Sequence, residues 1–193
     1  MEKDIILKSF KDSVRVKEDF FNSGNTALIS ESALLIAESF KAGGKLIIIG
    51  NGGSAADAQH LAAEFVNRFE IERPPLPALS LTTDTSNLTS IGNDYSFEEV
   101  FSKQIRALGK SSDVLLAIST SGNSPNVVRA ADTARAMEMK VIALTGKDGG
   151  ALKERADVVL SVESTRTSRV QEVHITVGHI LCELVDYILF QKV

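Results

Sequence analysis

Lys45-Leu46-Ile47-Ile48-Ile49, running straight into Gly50-Asn51-Gly52-Gly53-Ser54, decides the fold. A short unbroken apolar run reads as a strand buried on both faces. The glycine-rich turn then opens a helical segment near Ser54. The same order returns twice. Val114-Leu115-Leu116-Ala117-Ile118 leads into Ser119-Thr120-Ser121-Gly122-Asn123-Ser124 and a helix from Pro125. Val141-Ile142-Ala143-Leu144 leads into Thr145-Gly146-Lys147-Asp148-Gly149-Gly150 and a short helix. Ala78–Leu81, after a proline-rich turn, and Val158–Val162 are two further strand candidates. Strands alternating with helices imply an α/β fold of three layers, a central parallel sheet flanked by helices on both faces.

Residues 45–165 form this α/β core, and no linker divides 1–193, so one domain is expected. Residues 1–42 form an N-terminal helical extension. A first helix over 2–22 carries Ile6, Phe10, Val14 and Phe21 near helical spacing; a second over 26–41 stops at Ala42-Gly43-Gly44. The C-terminal helix, 168–190, is apolar over much of its circumference, more than the single stripe a monomer surface needs. The N- and C-terminal helices are therefore expected in an oligomer core.

Composition narrows the function classes. With 44% apolar and 24% charged residues, the 193-residue chain is ordinary globular material. A net charge of −4 without a basic block argues against nucleic-acid binding. The single cysteine, Cys182, can form neither an intrachain disulfide nor a cysteine-cluster zinc site. Continuous apolar runs are short against the ~20 residues a bilayer crossing needs, and no signal-peptide pattern opens the chain. The expectation is a cytoplasmic protein without a membrane partner.

Ligands of open α/β sheets bind beyond the carboxyl ends of the strands. Residues 119–124 offer four hydroxyls, a glycine and an asparagine without charge, before a helix whose N-terminus favours anions. That composition reads as a phosphate cradle; a plain turn with Ser124 as helix cap is the simpler alternative. Neither a Walker loop nor a complete G-x-G-x-x-G is present, which argues against dinucleotides. His60 and Glu64 stand four apart on the helix after the glycine loop, so they share a face and can share a metal or a substrate. His179 sits among Val177, Ile180 and Leu181, a setting common for a hydrogen-bonded core histidine. His174 faces about 140° away from it. Gln171 lies ~12 Å from His179 along a helix axis, awkward for two ligands of one ion unless they come from different subunits.

Taken as an ordered set, these segments, with Gly92-Asn93-Asp94 and Gln171-Glu172-Val173-His174, resemble the phosphoheptose isomerases of the sugar isomerase (SIS) fold. The resemblance runs the length of the chain. It implies a homotetramer with active sites between subunits. It implies conversion of sedoheptulose 7-phosphate to D-glycero-D-manno-heptose 7-phosphate, the first step toward the heptose of lipopolysaccharide and related glycans. By position, Ser119, Thr120, Ser121 and Ser124 would hold the phosphate, and Asn51, Gly52, Gly53, Ser54, Asn93, Asp94 and Gln171 would line the sugar. His60, Glu64, Gln171 and His179 would bind zinc, one ion per subunit, and Glu64 and His179 would be the acid–base pair. Ser168 departs from an acidic residue found there in some members. The chain also resembles a DnaA-binding replication regulator of the same fold, around 67–74 and 106–109, but such a non-catalytic protein has no need of Glu64 or His179. An isomerase of another phosphosugar is the remaining alternative.

Overall fold

The computed structural model describes residues 1–191. Its centre is β1 (Leu46–Gly50), every residue of which is buried. β1 pairs with β2 (Ala78–Ser80) on one side and β3 (Val114–Ser119) on the other; β4 (Lys140–Gly146) and β5 (Val158–Val162) continue beyond β3. All four pairings are parallel. Leu46 stands opposite Val114 and Gly50 opposite Ile118, so β1 and β3 deliver their loops side by side at one edge. The chain moves from β1 outward to β2 and then crosses back to β3. The reversal leaves a topological switch point between β1 and β3, the crevice where open α/β sheets bind ligands.

Alternate residues of the strands feed two cores. Leu46, Ile48, Leu116 and Ile118 face α1 (Glu2–Asn22), α2 (Asn25–Lys41), α3 (Gly53–Val66) and α7 (Thr167–Asp186). Ile47, Ile49, Leu115 and Ala117 face α5 (Ser102–Leu108) and α6 (Pro125–Ala136), with Leu88 and Ile91 of α4 (Thr85–Asp94) packed alongside. The three layers expected from the sequence are thus present.

Two carboxylates, one buried and one at the surface, set where strands begin. Asp113, just before β3, accepts from the Lys45 N–H at 2.9 Å and from Lys45 Nζ at 2.6 Å, tying the start of β1 to that of β3. Asp157, ahead of β5, does the same for β4, accepting from the Val141 N–H and Lys140 Nζ, each at 2.8 Å.

The terminal helices add two findings. In α1 the buried residues are Val16 and Phe20, whereas Ile6, Phe10, Val14 and Phe21 are exposed. Helical periodicity located the apolar face but not what covers it. And α7 with its following turn, Thr167–Gln191, is long and apolar enough by composition to cross a membrane. Short runs hid this, because scattered polar residues interrupt an otherwise apolar helix. Here Val170, Val173, Val177, Leu181 and Val185 of α7 are buried in the core beside the sheet.

His174 fastens α7 to the sheet. It is 1% exposed and its Nε2 lies 2.9 Å from the Thr145 carbonyl oxygen. Burial holds the ring neutral, pushing its pKa down from 6.5 to about 4, with the Thr145 carbonyl opposing. Below about pH 6.5 the unfolded chain takes up a proton that the folded chain refuses, so this residue lowers stability as pH falls toward about 4, by ~3 kcal/mol in full. Urea denaturation of wild type and His174→Asn should therefore diverge in pH dependence across that window, the wild type falling more steeply. Parallel curves would exclude His174 as the source.

Candidate active site

The turn after β1 is built from glycine for two reasons. Gly52 adopts φ 54° and ψ −120°, a backbone region that side chains disfavour. Gly53 leaves room for the amide of Gln171, which lies where its Cβ would stand. Ser54 follows, buried at the start of α3. Asn51 pairs reciprocally with Asn126: each side-chain amide donates to the other's oxygen, at 2.8 and 2.9 Å. This pair joins the turn after β1 to the helix after β3, across the switch point.

The serine loop closes on itself. Ser119 Oγ lies 3.0 Å from Ser124 Oγ and 3.5 Å from Ser121 Oγ, so three hydroxyls converge. Ser124 is the N-cap of α6 but makes no side-chain cap bond. Its hydroxyl turns into the loop instead, which favours the cradle over the plain cap. Thr120 is half-buried beside them. The loop after β4 braces this arrangement: Leu152 N–H donates to the Gly122 carbonyl at 3.0 Å, and Ala151 N–H to Asn123 Oδ1 at 2.9 Å. Gly122 has φ 66° with the Gly149 backbone pressed against it, leaving no space for a side chain.

The second part of the site is the seam between α3 and α7. His60 Nε2 lies 3.0 Å from His179 Nε2 and 3.3 Å from Glu64 Oε1. At the shorter distance one ring must donate and the other accept. Gly178 admits this approach, because a side chain there would collide with Leu61. The Phe69 ring stacks on His179 with centroids 5.5 Å apart. Asp57, one turn before His60, has a buried Oδ2 without a hydrogen-bond partner. Burial raises its pKa, while the charges of His60 and His179 oppose that rise.

The sequence-derived residues thus fall into separate groups. His60, Glu64 and His179 meet. Gln171 lies instead against Gly53, ~10 Å from His60 along α3. Asn93 and Asp94 end α4 on the surface, Asn93 Nδ2 donating to Asp94 Oδ1 at 2.9 Å. Three residues escaped the sequence reading: Asn126, Phe69 and Asp57. Only Asp57 left a signal, its i, i+3 relation to His60.

Zinc takes imidazole nitrogen and carboxylate oxygen, the donor types gathered at the seam, and the orphaned Asp57 oxygen adds an unpaired acceptor. The residues fit the ion by donor chemistry. Among the described residues of one chain, however, no group of three or more His, Cys, Asp or Glu side chains is arranged to hold a metal ion.

Fold and site define a SIS domain, and the SIS domain family model matches residues 9–146. The chain is 57% identical over 187 residues to the phosphoheptose isomerase of Aromatoleum aromaticum, covering 95% of this chain and 94% of that one. It is 53% identical over 189 residues to that of Nitratidesulfovibrio vulgaris Hildenborough, covering 98% and 90%. The structure of the phosphoheptose isomerase from Neisseria gonorrhoeae superposes with a TM-score of 0.91 at 45% identity, covering 96% and 99%. The chain belongs to the phosphoheptose isomerase family of SIS-domain enzymes. These relatives support the isomerase reading and not the replication-regulator alternative.

The Asn51–Asn126 pair should carry measurable stability. Asn126→Ala leaves the Asn51 amide half-buried and unpaired, an expected loss of about 1–3 kcal/mol in urea denaturation. An unchanged midpoint would show that the pair is replaced by water without penalty.

Proposed function

We propose that this enzyme interconverts sedoheptulose 7-phosphate and D-glycero-D-manno-heptose 7-phosphate, with Glu64 and His179 moving the protons. The observation that carries the reading is the meeting of Glu64, His60 and His179 in one chain of this family. Isomerisation moves a carbonyl from C2 to C1. A base removes a proton from C1, an enediol forms, and the proton returns at C2, while a second group carries protons between O1 and O2. A carboxylate suits the carbon proton and an imidazole the oxygens. Glu64 takes the first role and His179 the second, with the Phe69 ring holding the His179 plane.

Ser119, Thr120, Ser121 and Ser124 hold the phosphate at the N-terminus of α6, far from the reacting carbons. Binding energy gained there orients C1 and C2 for the base. Asn51, Gly52, Gly53, Ser54, Asn93, Asp94 and Gln171 are assigned to the sugar, with Asn51 acting through its pairing with Asn126. Zinc would be held by His60, Glu64 and His179, with Gln171 supplied across a subunit interface, and when bound would polarise the substrate carbonyl. The assembly is assigned as a homotetramer. The exposed Ile6, Phe10, Val14 and Phe21 of α1 and the apolar hollow lined by Phe21, Ile29, Val173 and Ile180 support burial against other copies. A phosphorylated sugar that does not cross bilayers unaided favours the cytoplasm.

Turnover of sedoheptulose 7-phosphate, followed as aldose formation with and without added zinc, tests the reading. Glu64→Gln removes the base with little change of shape and should lower kcat by at least about 100-fold with the fold intact. Near-normal turnover in that variant would remove Glu64 from the chemistry. Ser121→Ala deletes one proposed donor and should weaken sugar-phosphate binding by about 1–2 kcal/mol in calorimetry. An unchanged affinity would take Ser121 out of the cradle.

A further inference from the structure

The loop between α3 and β2 sends one arginine into the protein. Arg73 has a side chain only 1% exposed, and its Nε donates to Asp186 Oδ1 at 2.8 Å. Nη1 donates to the Phe65 carbonyl at 2.7 Å and to those of Asn67 and Pro74 at 3.3 Å. Nη2 donates to the carbonyl of Glu64 at 3.0 Å. Glu64 and Phe65 belong to the last turn of α3, whose carbonyls have no partner within the helix. Asp186 is the last residue of α7, and its Oδ2 is buried without a partner.

A buried pair with an unsatisfied oxygen is a poor device for stability. Desolvation offsets much of the attraction, and apolar replacements are often equally stable. An apolar cluster, though, lacks the direction to fix the end of one helix against the end of another. The guanidinium fork reaches Asp186 and two α3 carbonyls at once, one of them that of Glu64 itself.

We propose that Arg73 and Asp186 are positioning residues for Glu64. They lock the last turn of α3 onto the end of α7, so that the Glu64 carboxylate and His60 meet His179 in working geometry. This rests on the assignment of Glu64 and His179 to proton transfer.

Arg73→Lys keeps the charge but cannot serve all three acceptors, and Asp186→Asn keeps the shape without the charge. Each should lower kcat for sedoheptulose 7-phosphate by about 100-fold, as a small misplacement of reacting groups does. KM should move less than about threefold, since the serine loop is untouched. The control is Ile105→Ala, in the opposite core layer, compared at a temperature where circular dichroism shows every variant folded. It loses stability but should keep kcat within about twofold. NMR of the His60 and His179 ring protons gives a readout without turnover. Those signals should shift in both pair variants and stay in place in Ile105→Ala. A kcat loss no larger than the control's, or ring signals unmoved in both variants, would overturn the proposal. A wild type without turnover would instead sink the functional assignment, and the ring signals would still decide the clamp. Should Arg73→Lys fail to fold, Asp186→Asn carries the test alone.

Discussion

The close parallel approach of α3 and α7 is the constraint on which the site depends. Contacts along the seam keep nearly one offset in sequence: Gly53 with Gln171, Leu61 with Gly178, His60 with His179. Two of these need a glycine, because a side chain at either position would occupy its partner's space. Helix axes come this near only where one surface gives up its side chains. The exchange brings two imidazoles and a carboxylate into contact on a half-open surface, rather than burying them singly at the cost of their charge.

Beside the seam, the sheet supplies an independent anchor. β1 and β3 end level, so the glycine turn and the serine loop are neighbours by register alone. The Asn51–Asn126 pair then fixes one against the other with two neutral hydrogen bonds. A neutral link suits this place. An ion pair would set a charge beside the proposed phosphate site and either repel the anion or compete for it.

Much of this was legible in the sequence because it follows from periodicity and composition. Continuous apolar runs gave the strands, and Asp113 and Asp157 only sharpen where they begin. The hydroxyl-rich stretch at 119–124 was visible as a cluster, since its members are adjacent in the chain. His60 and Glu64 were visible as an i, i+4 pair. What stayed hidden are contacts between residues far apart in sequence. Phe69 on His179, Asn126 on Asn51 and Arg73 on Asp186 each join segments whose spacing obeys no local rule. For α1, periodicity reports that a face is apolar, not whether the same chain covers it, and within one chain that face is exposed.

His174 and His179 show how one helix separates a buried histidine from one that faces the proposed site. They are five residues apart and point in different directions. His174 faces the sheet, is fully buried, and is held neutral against the Thr145 carbonyl. His179 faces α3, keeps partial exposure, and touches His60 and Phe69. Sequence context alone suggested the greasy neighbourhood of His179 as the structural setting, and that setting belongs instead to His174. The rotation between them matters more than the neighbours each has in sequence. A proton carrier must face a site that water and substrate can reach, whereas a core histidine must not change charge. The α7 helix sets one ring against the sheet and turns the other, the proposed proton carrier, toward α3. Once the first ring is set, the seam can hold the second.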